Sequence, residues 1–137
     1  MKRMVVDASV TLKWIFLEEG SGKAKELLKD YLEGKITLVA PKLWSVEVAN
    51  AIRSAVHAKK ITNRKGHELL IQIYKAKPRL VETEEIMGQA FDTACSLDIS
   101  VYDSIYLTLA RELKITFATS DQKLLAKLSP KVKRYLI

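Results

Sequence analysis

Four acidic residues stand where a carboxylate could act on something other than its own backbone. Asp7 follows the apolar run Met4-Val5-Val6, and Glu47 lies near the start of a long helical pattern. Asp103 stands at the start of another, and Asp121 follows the β-favouring run from Ile115 to Thr119. Taken one at a time, each has an ordinary role. Asp7, Asp103 and Asp121 are near helix starts, where aspartate caps backbone N–H groups, and Glu47 is a plausible solvated first-turn acid. Taken together they ask for more. Two unit charges about 5 Å apart repel by roughly 3 kcal/mol at an effective dielectric of 20. Four in one pocket need protons, distance or a cation. With no Cys or His near them in the chain, the donors are all oxygen, which suits a hard ion such as Mg²⁺ or Mn²⁺. Such ions at an open rim are the equipment of phosphodiester hydrolysis.

The elements that must gather these acids alternate between strand and helix. Strand patterns fall at residues 4–6, 36–40, 80–81, 115–119 and 132–137. Between them lie helical patterns at 10–17, 23–33, 43–60, 62–74, 83–97, 103–113 and 122–128. Thr62 and Thr83 are placed to cap helices, and Gly34 to close one. The helices over 43–77 have no strong strand between them and predict a hairpin at one edge. Alternation of this kind predicts an α/β fold, with a parallel sheet covered by helices on both faces. In such a sheet helix N-termini and strand C-termini share one rim, where ligands bind. Asp103 and Asp121, 18 residues apart, are then expected to converge there. On a helical wheel Glu47 points away from the apolar stripe Val48, Ala49, Ile52, Ala55 and Val56, beside the small residues Ala51 and Ser54.

A length of 137 residues predicts one domain spanning 1–137 with one core. Lys and Arg number 23 against 16 Asp and Glu, a net charge of +7, which favours a polyanionic partner. An acidic metal pocket on a basic chain fits a nucleic-acid substrate. Cys95 is the only cysteine, so no internal disulfide forms, and its apolar helical neighbourhood predicts packing. Two histidines and one cysteine do not make a conventional zinc site. Asp7 interrupts the start before a signal-peptide core develops, and no run approaches the ~20 apolar residues of a membrane span. A cytoplasmic location is therefore expected. Dinucleotide binding is disfavoured, because Asp7-Ala8-Ser9 stands where glycines would follow the first strand. Ser9 also takes the place of the second aspartate a haloacid-dehalogenase-type phosphatase needs, and a P-loop is absent.

Val5 to Ser9 (V-V-D-A-S), Glu47 within W-S-V-E-V-A-N-A, Tyr102 to Ala110 (Y-D-S-I-Y-L-T-L-A) and Ala118 to Asp121 (A-T-S-D) resemble PIN-domain nucleases. More closely, they resemble the VapC toxins of toxin–antitoxin pairs. The resemblance spans almost the whole chain. It implies a three-layer α/β/α sandwich with a central, mainly parallel sheet, and endoribonuclease activity dependent on Mg²⁺ or Mn²⁺. Asp7, Glu47, Asp103 and Asp121 match the family's metal-binding and catalytic acids. Ser9 and Thr119 match supporting hydroxyls. A homodimer and a small VapB-type antitoxin are the implied partners, beside an RNA substrate. The alternative is a non-catalytic PIN-like module that binds RNA or protein.

Lys59, Lys60, Arg64 and Lys65 cluster at the bend of the predicted helical hairpin, and Lys123 begins a second basic group with Lys127, Lys131, Lys133 and Arg134. Either group could line an RNA path, and either could simply be a solvated face. His57 and His67 have no acidic partners in sequence and are not assigned as bases. Trp14, Phe16 and Trp44 lie in apolar runs and are expected in the core or a dimer interface rather than as base-stacking platforms.

Overall fold

Three apolar runs set the centre of a sheet. Met4-Val5-Val6, Leu38-Val39-Ala40 and Phe117-Ala118 are buried throughout, the mark of strands covered on both faces. In the computed structural model, which describes residues 2–137, these runs lie in β1 (Lys2–Val6), β2 (Ile36–Pro41) and β4 (Thr116–Thr119). The short β3 (Arg79–Val81) and β5 (Arg134–Leu136) flank them. Strand order is β3-β2-β1-β4-β5, and every pairing is parallel.

The helices are α1 (Ala8–Thr11), α2 (Ser21–Leu32), α3 (Trp44–His57), α4 (Asn63–Lys75), α5 (Met87–Leu97), α6 (Val101–Leu113) and α7 (Gln122–Ala126). The chain steps from β1 out to β3 and then back past β1 to β4, and crossovers of one hand put the helices of the two legs on opposite faces. The result is the expected three-layer arrangement. The reversal of direction opens a crevice between the C-terminal ends of β1 and β4, the place where open α/β sheets take ligands. α6 packs across β1, β2 and β4 and is buried along most of its length from Ser104 to Ala110. α3 and α4 form the expected hairpin with no strand between them.

Several local expectations are corrected. The helical pattern after Asp7 ends early: α1 passes into a 3-10 turn at Leu12–Trp14 and stops, leaving Leu17 89% exposed. Gly20, at φ +86°, turns the chain into α2. Thr62 does cap α4 by accepting from the Lys65 N–H at 3.1 Å. Thr83 instead precedes a 3-10 turn, Glu84–Ile86, without a side-chain cap bond. Cys95 is exposed, not packed. α5 buries only the narrow stripe Ala90 and Ala94, and the next residue along the helix turns about 100° away from it. Trp44 is fully buried, with its indole N–H donating to Thr11 Oγ1 at 2.9 Å, and Trp14 is buried with its N–H on Ala24 O. Neither ring is a base-stacking platform. Among the described residues, no helix is long and apolar enough to cross a membrane.

Candidate active site

Asp7 is held at the crevice by its neighbours in the sheet. The β1–β4 register pairs Val6 with Ala118, and the Asp7 N–H extends the ladder by donating to Ala118 O at 2.9 Å. Asp7 thereby comes to lie beside Thr119. It occupies the position before α1 with extended backbone (φ −76°, ψ 151°), yet its side chain makes no cap bond. Two hydroxyls converge on it instead. Thr119 Oγ1 donates to Asp7 Oδ2 at 2.9 Å and Ser9 Oγ to the same oxygen at 3.2 Å. The hydroxyls also order the next turn: the Ser120 N–H donates to Ser9 Oγ at 3.2 Å and the Asp121 N–H to Thr119 Oγ1 at 3.0 Å.

Asp121 follows β4 and does cap α7, accepting from the Leu124 N–H through Oδ1 at 3.0 Å. The capping alternative therefore holds for Asp121 and fails for Asp7. It also fails for Asp103. Ser100 is the cap of α6, accepting from the Asp103 N–H at 3.0 Å, so Asp103 is the third residue of that helix rather than its opener. A first-turn carboxylate there is favoured by the helix dipole. Asp103 and Asp121 line one cleft of about 240 Å³ together with Lys123 and Lys127.

Glu47 lies in the first turn of α3. The wheel had placed it off the apolar stripe, and it is half-buried rather than solvated. The reason is Tyr106, one turn beyond Asp103 on α6, whose hydroxyl donates to Glu47 Oε1 at 2.6 Å. Ala51 and Ser54 do not share the acid site. They line a separate groove with Leu12 and Phe16 whose walls do not include Glu47.

Burial and neighbouring charge both act on these acids. Burial raises Asp7 to about 6, opposed by the Thr119 hydrogen bond and reinforced by the charge of Asp103. Burial raises Glu47 to about 7, opposed by the Tyr106 hydrogen bond and reinforced by Asp7 and Asp103. Asp103 is also raised, by burial and then by Asp121. Burial, followed by Glu47, pushes Tyr106 up, so it stays a phenol. Asp7, Glu47 and Asp103 are thus each raised by at least one neighbouring acid. Among the described residues none is paired with a lysine or arginine; the ion pairs lie elsewhere. An all-oxygen set, short of positive partners and partly desolvated, has the donor chemistry of a Mg²⁺ or Mn²⁺ site. Among the described residues, no three His, Cys, Asp or Glu side chains are already drawn into a ligand cluster.

The basic groups separate. Lys123 borders the acid cleft. Lys59 and Lys60 follow the far end of α3, whose last residue His57 is about 15 Å along the helix axis from Glu47 at 1.5 Å per residue. Arg64 and Lys65 sit at the start of α4 with Glu68 at 3.9 and 3.8 Å. His57 and His67 are exposed. Two contributors had gone unrecognised in the sequence, Tyr106 and Ser100. The signal for Tyr106 was its i+3 spacing from Asp103, which puts both on one helix face.

A five-stranded parallel sheet with Asp7 following β1 and Asp121 following β4 at its switch point defines a class. Residues 4–129 match the PIN domain family, and the chain belongs to that family. It is similar to Ribonuclease VapC1 of Mycobacterium tuberculosis, at 27% identity over 133 residues covering 92% of this chain and 91% of that protein. The fold is shared with solved structures. PAE2754 from Pyrobaculum aerophilum superposes with a TM-score of 0.72 at 17% identity, covering 98% of this chain and 90% of the other. VapC20 of Mycobacterium tuberculosis, described as a sarcin-ricin loop cleaving toxin, gives 0.71 at 16%, covering 95% and 98%. VapBC2 of Rickettsia felis, bound to a DNA fragment from its promoter, gives 0.65 at 12%, covering 100% and 99%.

Proposed function

We propose that this chain is a metal-dependent endoribonuclease that hydrolyses RNA phosphodiester bonds, the VapC-type toxin of a toxin–antitoxin pair. The observation that carries the reading is a run of neighbouring carboxylates, in which Asp7 and Asp103 raise Glu47 and Asp121 raises Asp103, with none of them in an ion pair to a lysine or arginine among the described residues. Family membership and the VapC1 relative point the same way. The Rickettsia neighbour supports a VapB-type antitoxin as partner. A homodimer is proposed from the family resemblance alone.

In this reading Asp7, Glu47, Asp103 and Asp121 hold Mg²⁺ or Mn²⁺. A divalent ion there supplies Lewis acidity toward water and the phosphate, and offsets the anionic charge of both site and substrate. The chain's own residues do the positioning. Thr119 and Ser9 fix Asp7 Oδ2, Tyr106 fixes Glu47 Oε1, and Ser100 anchors the turn that carries Asp103. Lys123, at the mouth of the cleft, is placed to draw a phosphate of the backbone toward the acids. Deprotonated Asp7 and Glu47 are the forms that bind the ion, so metal affinity rises with pH through about 6 to 7.

A second reading is a PIN-like module that binds RNA or protein without cutting. It is favoured by the acids' not already forming a three-residue ligand cluster. One experiment separates the two: incubation of single-stranded RNA with the protein in Mn²⁺ and in EDTA. The nuclease reading expects cleavage in Mn²⁺ only, lost in Asp7→Asn. Binding without cleavage in either condition supports the module.

A further inference from the structure

Among the described residues Tyr106 is the hydroxyl that bonds Glu47, and it reaches a single oxygen of that carboxylate, Oε1, at 2.6 Å. The ring is 1% exposed and wedged in the face of α6 that crosses the sheet, so it cannot follow a rotating glutamate. Its own helix fixes it relative to Asp103, one turn earlier. Glu47, by contrast, is only partly buried and on a different helix, α3. A short hydrogen bond to a charged oxygen is strong and directional. It occupies Oε1 and lowers its donor strength, leaving Oε2 as the better donor of the two carboxylate oxygens.

That restriction matters differently for different ions. Mg²⁺ requires near-ideal octahedral geometry with one oxygen per direction, and Mn²⁺ likewise favours six oxygens. Ca²⁺ accepts six to eight oxygens in looser geometry, and readily takes both oxygens of one carboxylate. A glutamate locked to one free oxygen suits the first two and denies Ca²⁺ a preferred mode. We infer that Tyr106 is a positioning residue that sets the ion selectivity of the site, holding Glu47 to one-oxygen ligation and so favouring Mn²⁺ and Mg²⁺ over Ca²⁺. The inference rests on the metal-site reading above and goes beyond it, since that reading needs only that the acids bind an ion.

The test is calorimetric titration of the wild type and Tyr106→Phe with Mn²⁺ and with Ca²⁺, alongside thermal unfolding without metal. The expected result is about a tenfold loss of Mn²⁺ affinity, the lower end for losing a partner of a ligand, with Ca²⁺ affinity falling by a smaller factor or rising. Equal losses for both ions, or no loss for either, overturn the inference even if the wild type binds Mn²⁺. No Mn²⁺ binding by the wild type overturns the metal-site reading itself. A second measurement needs no folded variant. In wild-type NMR spectra the Tyr106 hydroxyl proton should exchange slowly and remain protected when Mg²⁺ is added. Loss of protection on adding Mg²⁺ shows Glu47 released from the phenol and overturns the inference.

Discussion

Thr119 and Asp7, separated by 112 positions in the chain, share a 2.9 Å hydrogen bond across the ends of β4 and β1. The same Thr119 oxygen accepts from the Asp121 N–H at 3.0 Å. One hydroxyl therefore ties the first acid of the site to the loop that carries the last.

Thr119→Val keeps the shape and removes the donor. The buried Asp7 oxygen loses its shorter hydrogen bond, at a cost of about 1–3 kcal/mol. RNA cleavage is expected to fall about 10–100-fold, as when an outer partner of a metal ligand is lost. Thr119→Ser keeps most of both. Unfolding curves and single-turnover cleavage of the three proteins check this, and a fully active Thr119→Val contradicts it.

The raised acids fix the sign of the pH dependence of stability. The folded protein holds protons on Asp7 up to about 6, whereas the unfolded chain releases them near 3.8. Stability from this group is complete below 3.8 and lost as pH rises through about 6. Glu47 adds the same trend up to about 7. In EDTA, the protein is expected to melt at a lower temperature at pH 7.5 than at pH 5. Asp7→Asn, which cannot ionise, flattens that slope and stabilises the metal-free fold at pH 7.5 by on the order of 2 kcal/mol. A melting temperature that rises between pH 5 and 7.5 in EDTA contradicts this.

Ser100 caps α6 and, through the Asp103 N–H, sets the turn from which Asp103 projects. Ser100→Ala costs about 1 kcal/mol of stability. It also weakens Mn²⁺ binding, whereas Ser100→Asp restores the cap and the stability. Denaturant unfolding paired with a Mn²⁺ titration measures both effects, and unchanged stability in Ser100→Ala contradicts the assignment of the cap.

Much of this was legible in the chain. The apolar runs at Met4-Val5-Val6, Leu38-Val39-Ala40 and Phe117-Ala118 announce buried parallel strands, because a strand covered on both faces needs no polar alternation. The acids could be placed at one rim because strand ends and helix starts coincide there. The cap of α6 was harder: Ser100 and Asp103 both favour helix starts, and only the backbone bond decides which of them does the capping. The helix after Asp7 was overdrawn, since Ile15, Phe16 and Leu17 continue an apolar pattern through a segment that has already left the helix. Tyr106 is buried on α6, and that its hydroxyl meets Glu47 depends on how α3 and α6 approach, which no local pattern records.

Lys123 borders the acid cleft, while Lys59 and Lys60 lie at the far end of α3. Lys123→Ala is expected to raise KM for RNA several-fold with kcat little changed, the signature of lost uniform binding. Lys59→Ala and Lys60→Ala are expected to change KM less. Steady-state cleavage at fixed salt compares them, and a larger effect at Lys59 than at Lys123 moves the RNA path to the hairpin end.

The central claim is that Asp7, Glu47, Asp103 and Asp121 gather around one divalent ion. Crystals soaked in Mn²⁺ and measured at the manganese absorption edge test it most directly. The account predicts an anomalous peak in the crevice between β1 and β4, with carboxylate oxygens of at least Asp7 and Asp103 at about 2.1 Å, the spacing hard octahedral ions keep. A peak bound elsewhere, or none at saturating Mn²⁺ with the four carboxylates unmoved, contradicts it.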